Sequence, residues 1–429
     1  MKFNILKTKS KIFITFYLFL LIFNPPIFKN ISFTVLLVSL SGLYLLLNLR
    51  KTKIMIKKLM MNKFFLIFLF SFFYISFISF FNAFFNNENI LSYLLNFINY
   101  IFYYGALISV IIFINLISNK SKLTFNDLVS CYIWAGVLQA IIAISSYIFP
   151  EIRDFFLQLI ISNSSSIKIF KTIQTTKNIR NYGFASSLFD IFGYSTSILV
   201  ILAFVKGLYK NIFYIFLSLP LFIVPFLNAR TGIILTFFGT ILALIIFFKP
   251  ENIYDILKKI LIFLISIFLF IIVFDFFKNV ILSISDQQRI WIISGIKNTF
   301  SFLLGESTTG YYNALLNRFI FFPSFFKTIF GAGATPMILI NRNTDLGYIQ
   351  NIWRYGIIGS LIIYIINYKI FKLSYILSKN KMQKTIVIIL GFFFFVYMIK
   401  LNSLGYSQAS VITFPLLFKV INDSNTNEI

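Results

Sequence analysis

Apolar runs of membrane-crossing length recur from one end of the chain to the other, broken by short polar stretches. A run of about 20 apolar residues makes a helix that crosses the roughly 30 Å hydrocarbon core of a bilayer. The pattern predicts spans at 12–28, 31–49, 64–85, 97–118, 128–149, 186–205, 211–227, 231–248, 260–277 and 352–371, with two more closing the chain. The fold class expected is therefore all-α: a polytopic integral membrane protein of about twelve helices. It reads as a single transmembrane domain over 1–429, with larger extracytoplasmic loops at about 150–185 and 278–350. Retention of the first run as a span is expected, because no small-residue cleavage site follows it.

Composition supports this class and removes others. The chain is 59% hydrophobic and only 12% charged, with a mean hydropathy of +0.88, whereas a soluble domain carries about 25% charged residues. It has no histidine and one cysteine, Cys131, so intrachain disulfides and histidine catalysis are excluded. No cluster of Cys or carboxylates has metal-ligand spacing, so neither a metal nor another cofactor is expected.

The net charge of +25 would suggest nucleic acid in a soluble protein. Here it reports topology, because cytoplasmic loops of membrane proteins carry excess Lys and Arg. Residues 50–63 and the lysines between 369 and 384 are expected inside, with both termini. Sorting cations by type adds a sharper asymmetry. Most lysines fall inside on this map, whereas Arg153, Arg180, Arg230, Arg289, Arg318, Arg342 and Arg354 fall outside, leaving only Arg50 within. Guanidinium presents a planar fork that holds phosphate oxygens through paired hydrogen bonds. A one-sided set of arginines points to a phosphate-bearing ligand at the outer face. The alternative is snorkelling to lipid headgroups or pairing with Glu151, Asp154, Asp286 and Glu306.

The stretch 318–360 is the most polar and least helix-compatible part of the chain, and irregular backbone survives in a bilayer only at its surface or around a cavity. It contains Gly331-Ala-Gly333, Asp345-Leu-Gly-Tyr348 and Tyr355-Gly-Ile-Ile-Gly359. Together with Ala229-Arg-Thr-Gly232 at a tight hairpin, and with Arg180–Gly183, these motifs resemble the O-antigen polymerase and ligase superfamily. The resemblance implies a metal-independent glycosyltransferase of the large GT-C-like membrane class, acting on polyprenyl-diphosphate-linked sugars at the outer face of a bacterial inner membrane. Ligases of this superfamily usually carry a loop histidine before a late span. Its absence here favours the polymerase branch.

The expected mechanism follows from the residues so placed. Arg180, Arg230, Arg289 and Arg318 would hold the diphosphate and make it a better leaving group, Arg289 being set with Asp345 as the catalytic pair. Asp345 would orient or deprotonate the attacking sugar hydroxyl, or else cap the helix that follows. Tyr348 would contact a sugar, and Gly331 and Gly333 would admit backbone close to the ligand. The expected partners are the lipid-linked oligosaccharide, membrane lipid, and a chain-length regulator and flippase of the same pathway. A lipid-linked oligosaccharide flippase and an O-antigen ligase are the alternatives.

Overall fold

The computed structural model describes residues 2–25, 33–61, 64–85, 90–163, 185, 190–228, 230–248, 294, 320–342, 344, 346–398 and 407–424. Among them the chain is almost wholly helical and contains no strand. The expected ninth span at 260–277, most of the two outer loops, and Arg180, Arg289, Arg318 and Asp345 lie outside the described residues. Four helices are long and apolar enough to cross a membrane, or five if one sharply bent pair counts as one span. Shorter apolar stretches at Leu69–Phe85, Phe213–Pro225 and Gly232–Phe247 accompany them.

The chain divides into two compact units. The first comprises Met1–Ser39, Ser121–Leu303 and Asn380–Ile389. It contains α1 (Lys2–Phe23), α6 (Phe125–Ile148), α7 (Pro150–Asn163), α8 (Asp190–Tyr209), α9 (Phe213–Asn228) and α10 (Arg230–Phe247). Helix α8 is its centre, apolar and buried along almost its whole length, with α6, α9 and α10 packed around it and α1 against α6. Ser197 on α8 donates its hydroxyl 2.7 Å to the carbonyl of Gly232 on α10, a contact that the missing side chain of Gly232 permits.

Charges gather at one end of this unit and explain its helix ends. Thr124 and Asp127 form a reciprocal capping box at the start of α6, which satisfies two otherwise orphaned donors. The Asp127 carboxylate also accepts Lys7 at 2.8 Å and Lys11 at 2.6 Å, fixing α1 to α6. Lys206, buried at the end of α8, donates to the Asn126 carbonyl at 2.9 Å and to the Ser130 hydroxyl, and lies 4.2 Å over the Tyr214 ring. Residues 150–163, expected as loop, are helical from Pro150 onward. Proline is pre-set for the first helical position and holds the preceding Phe149 extended, so one helix ends and another begins without an intervening loop.

The second unit comprises Leu40–Lys120, Leu304–Lys379 and Leu390–Ile429. Its helices are α3 (Leu49–Met61), α4 (Phe64–Phe85), α5 (Ile90–Lys120), α11 (Phe325–Phe330), α12 (Pro336–Ile340), α13 (Gly347–Ile376) and α15 (Gln408–Ser424). Two further helices, α2 (Phe33–Leu47) and α14 (Lys381–Tyr397), complete the described elements. Helix α15 is buried from Ala409 to Asn422 on every side, the pattern of a helix enclosed by others. Its Lys419 is neutralised by Asp423 at 2.8 Å and donates to Asn119 on α5 at 3.2 Å.

Candidate functional site

The unit's long helix α13 is broken near its start. Gly356 has φ 66° and ψ −178°, outside helical space, so the helix ends after nine residues and restarts at Ile357. Such a break removes hydrogen bonds that the carbonyls of residues 353 and 354 would accept in a continuous helix. The loop between α11 and α12 replaces them: the Ala332 amide donates 2.6 Å to the Trp353 carbonyl, and the Gly333 amide 3.2 Å to the Arg354 carbonyl.

The approach is backbone against backbone, and glycine makes it possible. A Cβ on Gly331 would fall 2.7 Å from the Arg354 carbonyl oxygen and from the Gly356 nitrogen. Gly331 and Gly333 also have φ of 99° and 77°, the left-handed region that only glycine occupies cheaply. Helix α4 braces the loop's other side. Tyr74 donates its hydroxyl 2.7 Å to the Phe330 carbonyl, and Ser79 donates 3.3 Å to the Gly333 carbonyl. A small apolar cluster of Ala332, Leu346, Ile349 and Trp353, with Phe321 against it, seats the same segment on the first turns of α13.

Arg354 stands immediately before the break. Its guanidinium lies 5.4 Å from the centre of the Tyr100 ring, and its Nε is buried without a hydrogen-bond partner. Among the described residues no carboxylate forms an ion pair with it. Beside it runs a buried hydroxyl chain drawn from three helices. Tyr355 bonds Tyr100, and its hydroxyl is 3.4 Å from that of Tyr104, which in turn is 3.3 Å from Ser71. Two further buried polar atoms on α13 have no partner near the break: Asn351 Oδ1, one turn before Arg354, and Ser360 Oγ just beyond Gly356. Buried polar groups are almost always satisfied, and unpaired ones mark water, ligand or strain. Three lie within about two turns of a helix break and make a polar niche in which Arg354 Nε and Ser360 Oγ can donate to an anion, whereas Asn351 Oδ1 can only accept.

The residues expected from sequence fall unevenly around this niche. Gly331 and Gly333 belong to it, yet what their backbones approach is α13 and Ser79 of the protein itself. Tyr348 lies one to two turns before Arg354 and is occupied structurally: its hydroxyl donates 2.8 Å to the Phe395 carbonyl, and its amide 3.0 Å to the Met398 carbonyl. The N-cap position of α13 is Leu346, without a side-chain cap. Arg230 opens α10, one residue after α9 ends, as the expected hairpin requires. Arg153 pairs with its neighbour Asp154 at 3.4 Å, and Arg342 lies 4.1 Å over the Phe321 ring. Sequence reasoning grouped Arg354 with the outward arginines without singling it out. The adjoining Tyr-Gly-Ile-Ile-Gly motif was the signal that could have done so.

No protein-family model, no curated protein and no solved structure matches this chain.

Proposed function

We propose that the protein is an oligosaccharide repeat-unit polymerase, a metal-independent glycosyltransferase that joins polyprenyl-diphosphate-linked units into O-antigen or capsular polysaccharide. The observation that carries this reading is Arg354, with its buried unpartnered Nε beside a broken helix. An arginine in a membrane domain without a carboxylate partner is costly and marks a functional site whose partner is to be named. A diphosphate is the natural partner, because guanidinium holds its oxygens in pairs and neutralises the leaving group.

Two further considerations support an outer-side niche in this reading. From Gly347 to Tyr368 the segment carries one cation, Arg354, over about the 20 residues of a crossing. The lysines between 369 and 384 that follow are expected inside, so Arg354 and the break lie toward the opposite face. The protein would have about twelve spans in a bacterial inner membrane with both termini cytoplasmic. Arg318 would complete the diphosphate grip and Asp345 would serve the acceptor hydroxyl. A chain-length regulator and a flippase would act beside it.

One observation favours the flippase alternative. Asn351, Ser360, Asn367 and Ser374 are all buried along α13, and Asn367 Oδ1 is unpartnered as well. A polar stripe through a spanning helix is what a transport path requires. Deletion of the gene separates the two. Loss of a polymerase leaves surface glycan capped at one repeat unit, with lipid-linked units reaching the outer leaflet. Accumulation of those units on the cytoplasmic leaflet would establish the flippase instead.

A further inference from the structure

Helix α3 stands apart from the polymerase site and has chemistry of its own. Thirteen residues long, it carries five cations, Arg50, Lys51, Lys53, Lys57 and Lys58, too many to lie in hydrocarbon. It leaves α2 at 107°, and the corner is hydrogen-bonded rather than slack. Asn48 donates its side-chain amide 2.9 Å to the Tyr44 carbonyl, and the Thr52 hydroxyl donates 2.9 Å to the Leu45 carbonyl. Thr52, Met55 and Leu59 are buried on one face. Lys58 donates 2.8 Å to Asn422 and so fixes the far end.

The opposite face is an exposed stripe in which cation and apolar side chain alternate: Arg50, Ile54, Lys57 and Met61, at spacings of four, three and four. Ile54 is 54% and Met61 71% exposed. Arg50, Lys51, Lys53 and Lys57 are exposed too, and among the described residues none pairs with a carboxylate. The two neighbouring helices, α2 and α4, contain no charged residue. One residue separates α2 from α3, and two separate α3 from α4. Held between two apolar helices by such short links, α3 cannot leave the bilayer surface.

We infer that α3 is an in-plane membrane-surface helix that binds the headgroups of anionic phospholipids. Its exposed apolar residues would enter the boundary between headgroups and acyl chains while the lysine and arginine stems extend to the lipid phosphates. Anionic lipid is the occupant that fits both halves of the stripe: apolar groups reach hydrocarbon, and unpaired cations meet fixed negative charge. An acidic soluble protein would meet the cations but would leave Ile54 and Met61 against water or require them in a dedicated pocket.

The test uses the full-length chain in lipid nanodiscs, with Cys131→Ser and Ile54→Cys carrying an environment-sensitive fluorophore. Brominated phosphatidylglycerol and brominated phosphatidylcholine are compared as quenchers at equal mole fraction. Phosphatidylglycerol should quench at least about twofold more at low salt, and the difference should vanish near 1 M salt, where charges are screened within about 3 Å. Combined Lys53→Gln and Lys57→Gln should abolish the preference with quenching by phosphatidylcholine unchanged. Equal quenching by both lipids at low salt would overturn the proposal. So would a lack of quenching by either, which would turn the stripe toward water and a soluble partner. The salt titration on the unsubstituted helix decides the matter even where the double variant fails to accumulate.

Discussion

The amide of Gly333 donates to the carbonyl of Arg354 across 3.2 Å, joining a loop to the point where a long helix breaks. Gly333 ends the motif Gly331-Ala-Gly333 and Arg354 immediately precedes the run beginning at Tyr355, and the meeting of the two motifs explains why both need glycine. At Gly331 and Gly356 a side chain would collide with the partner backbone, and at Gly333 with Ser79. The break also sets Arg354 beside the hydroxyls of Tyr100, Tyr355 and Tyr104, which a straight helix would not require.

Substitution of these glycines should therefore cost stability independently of any ligand. Gly331→Ala and Gly356→Ala force a Cβ into a left-handed backbone and against a neighbouring main chain, with about 1–3 kcal/mol of strain from backbone conformation alone. Purified in detergent, both variants should melt several degrees lower than the parent. Gly42→Ala is the control. Nothing lies within 4 Å of the added methyl, and alanine is favoured in a helix by roughly 0.5–1 kcal/mol, so it should be neutral or slightly stabilising. Equal melting of all three would deny the loop its structural role.

The tyrosine chain makes a second stability claim. Tyr355→Phe removes the hydroxyl that bonds Tyr100 and approaches Tyr104, while Tyr104 keeps Ser71. Loss of a buried hydrogen-bond partner costs about 1–3 kcal/mol. Thermal unfolding should show a clear drop, whereas Tyr103→Phe, at an exposed position of α5, should leave the melting temperature within about a degree. Matched melting of the two variants would remove the hydroxyl chain from the account of this site.

What could be read in the sequence followed from periodicity and charge. The apolar runs at 64–85, 128–149 and 231–248 became α4, α6 and α10 within a few residues, because burying a long apolar run in a helix leaves few alternatives. A close backbone approach at Gly331 and Gly333 was legible in the Gly-Ala-Gly spelling, but not the surface they approach, since that depends on a pairing between distant segments. The break at Gly356 was hidden because Tyr-Gly-Ile-Ile-Gly also suits a continuous spanning helix. For the same reason Arg354 passed as one arginine among several. The corner at Asn48 was likewise invisible: Leu-Asn-Leu-Arg reads as the frayed end of a span, and only the bonds to Tyr44 and Leu45 turn it through 107°.

Orientation is open to direct measurement. In a Cys131→Ser background, single cysteines within 50–63 and 372–384 should resist a membrane-impermeant maleimide in intact cells. Cysteines at 320–342 should react with it. The charge distribution predicts this arrangement, and the diphosphate reading depends on it. Reaction of 320–342 only after the membrane is permeabilised would put Arg354 on the wrong face for a lipid-linked donor delivered outside.

The strongest test of the anion niche separates charge from fork geometry at Arg354. Lysine keeps the positive charge and the cation–π contact with Tyr100 but offers no planar pair of donors. If Arg354 holds a diphosphate through paired hydrogen bonds, Arg354→Lys should lower polymer formation by about tenfold or more, the loss of one good charge-assisted bond. Protein level and melting temperature should stay near the parent's, because the lysine still stacks on the same ring. Arg153 supplies the reference: its partner is the adjacent, exposed Asp154 at 3.4 Å, a contact of little worth that lysine can replace, so Arg153→Lys should be close to neutral. An Arg354→Lys protein that polymerises as well as Arg153→Lys would show that a positive charge alone suffices beside the break, and the bidentate grip would fall with it.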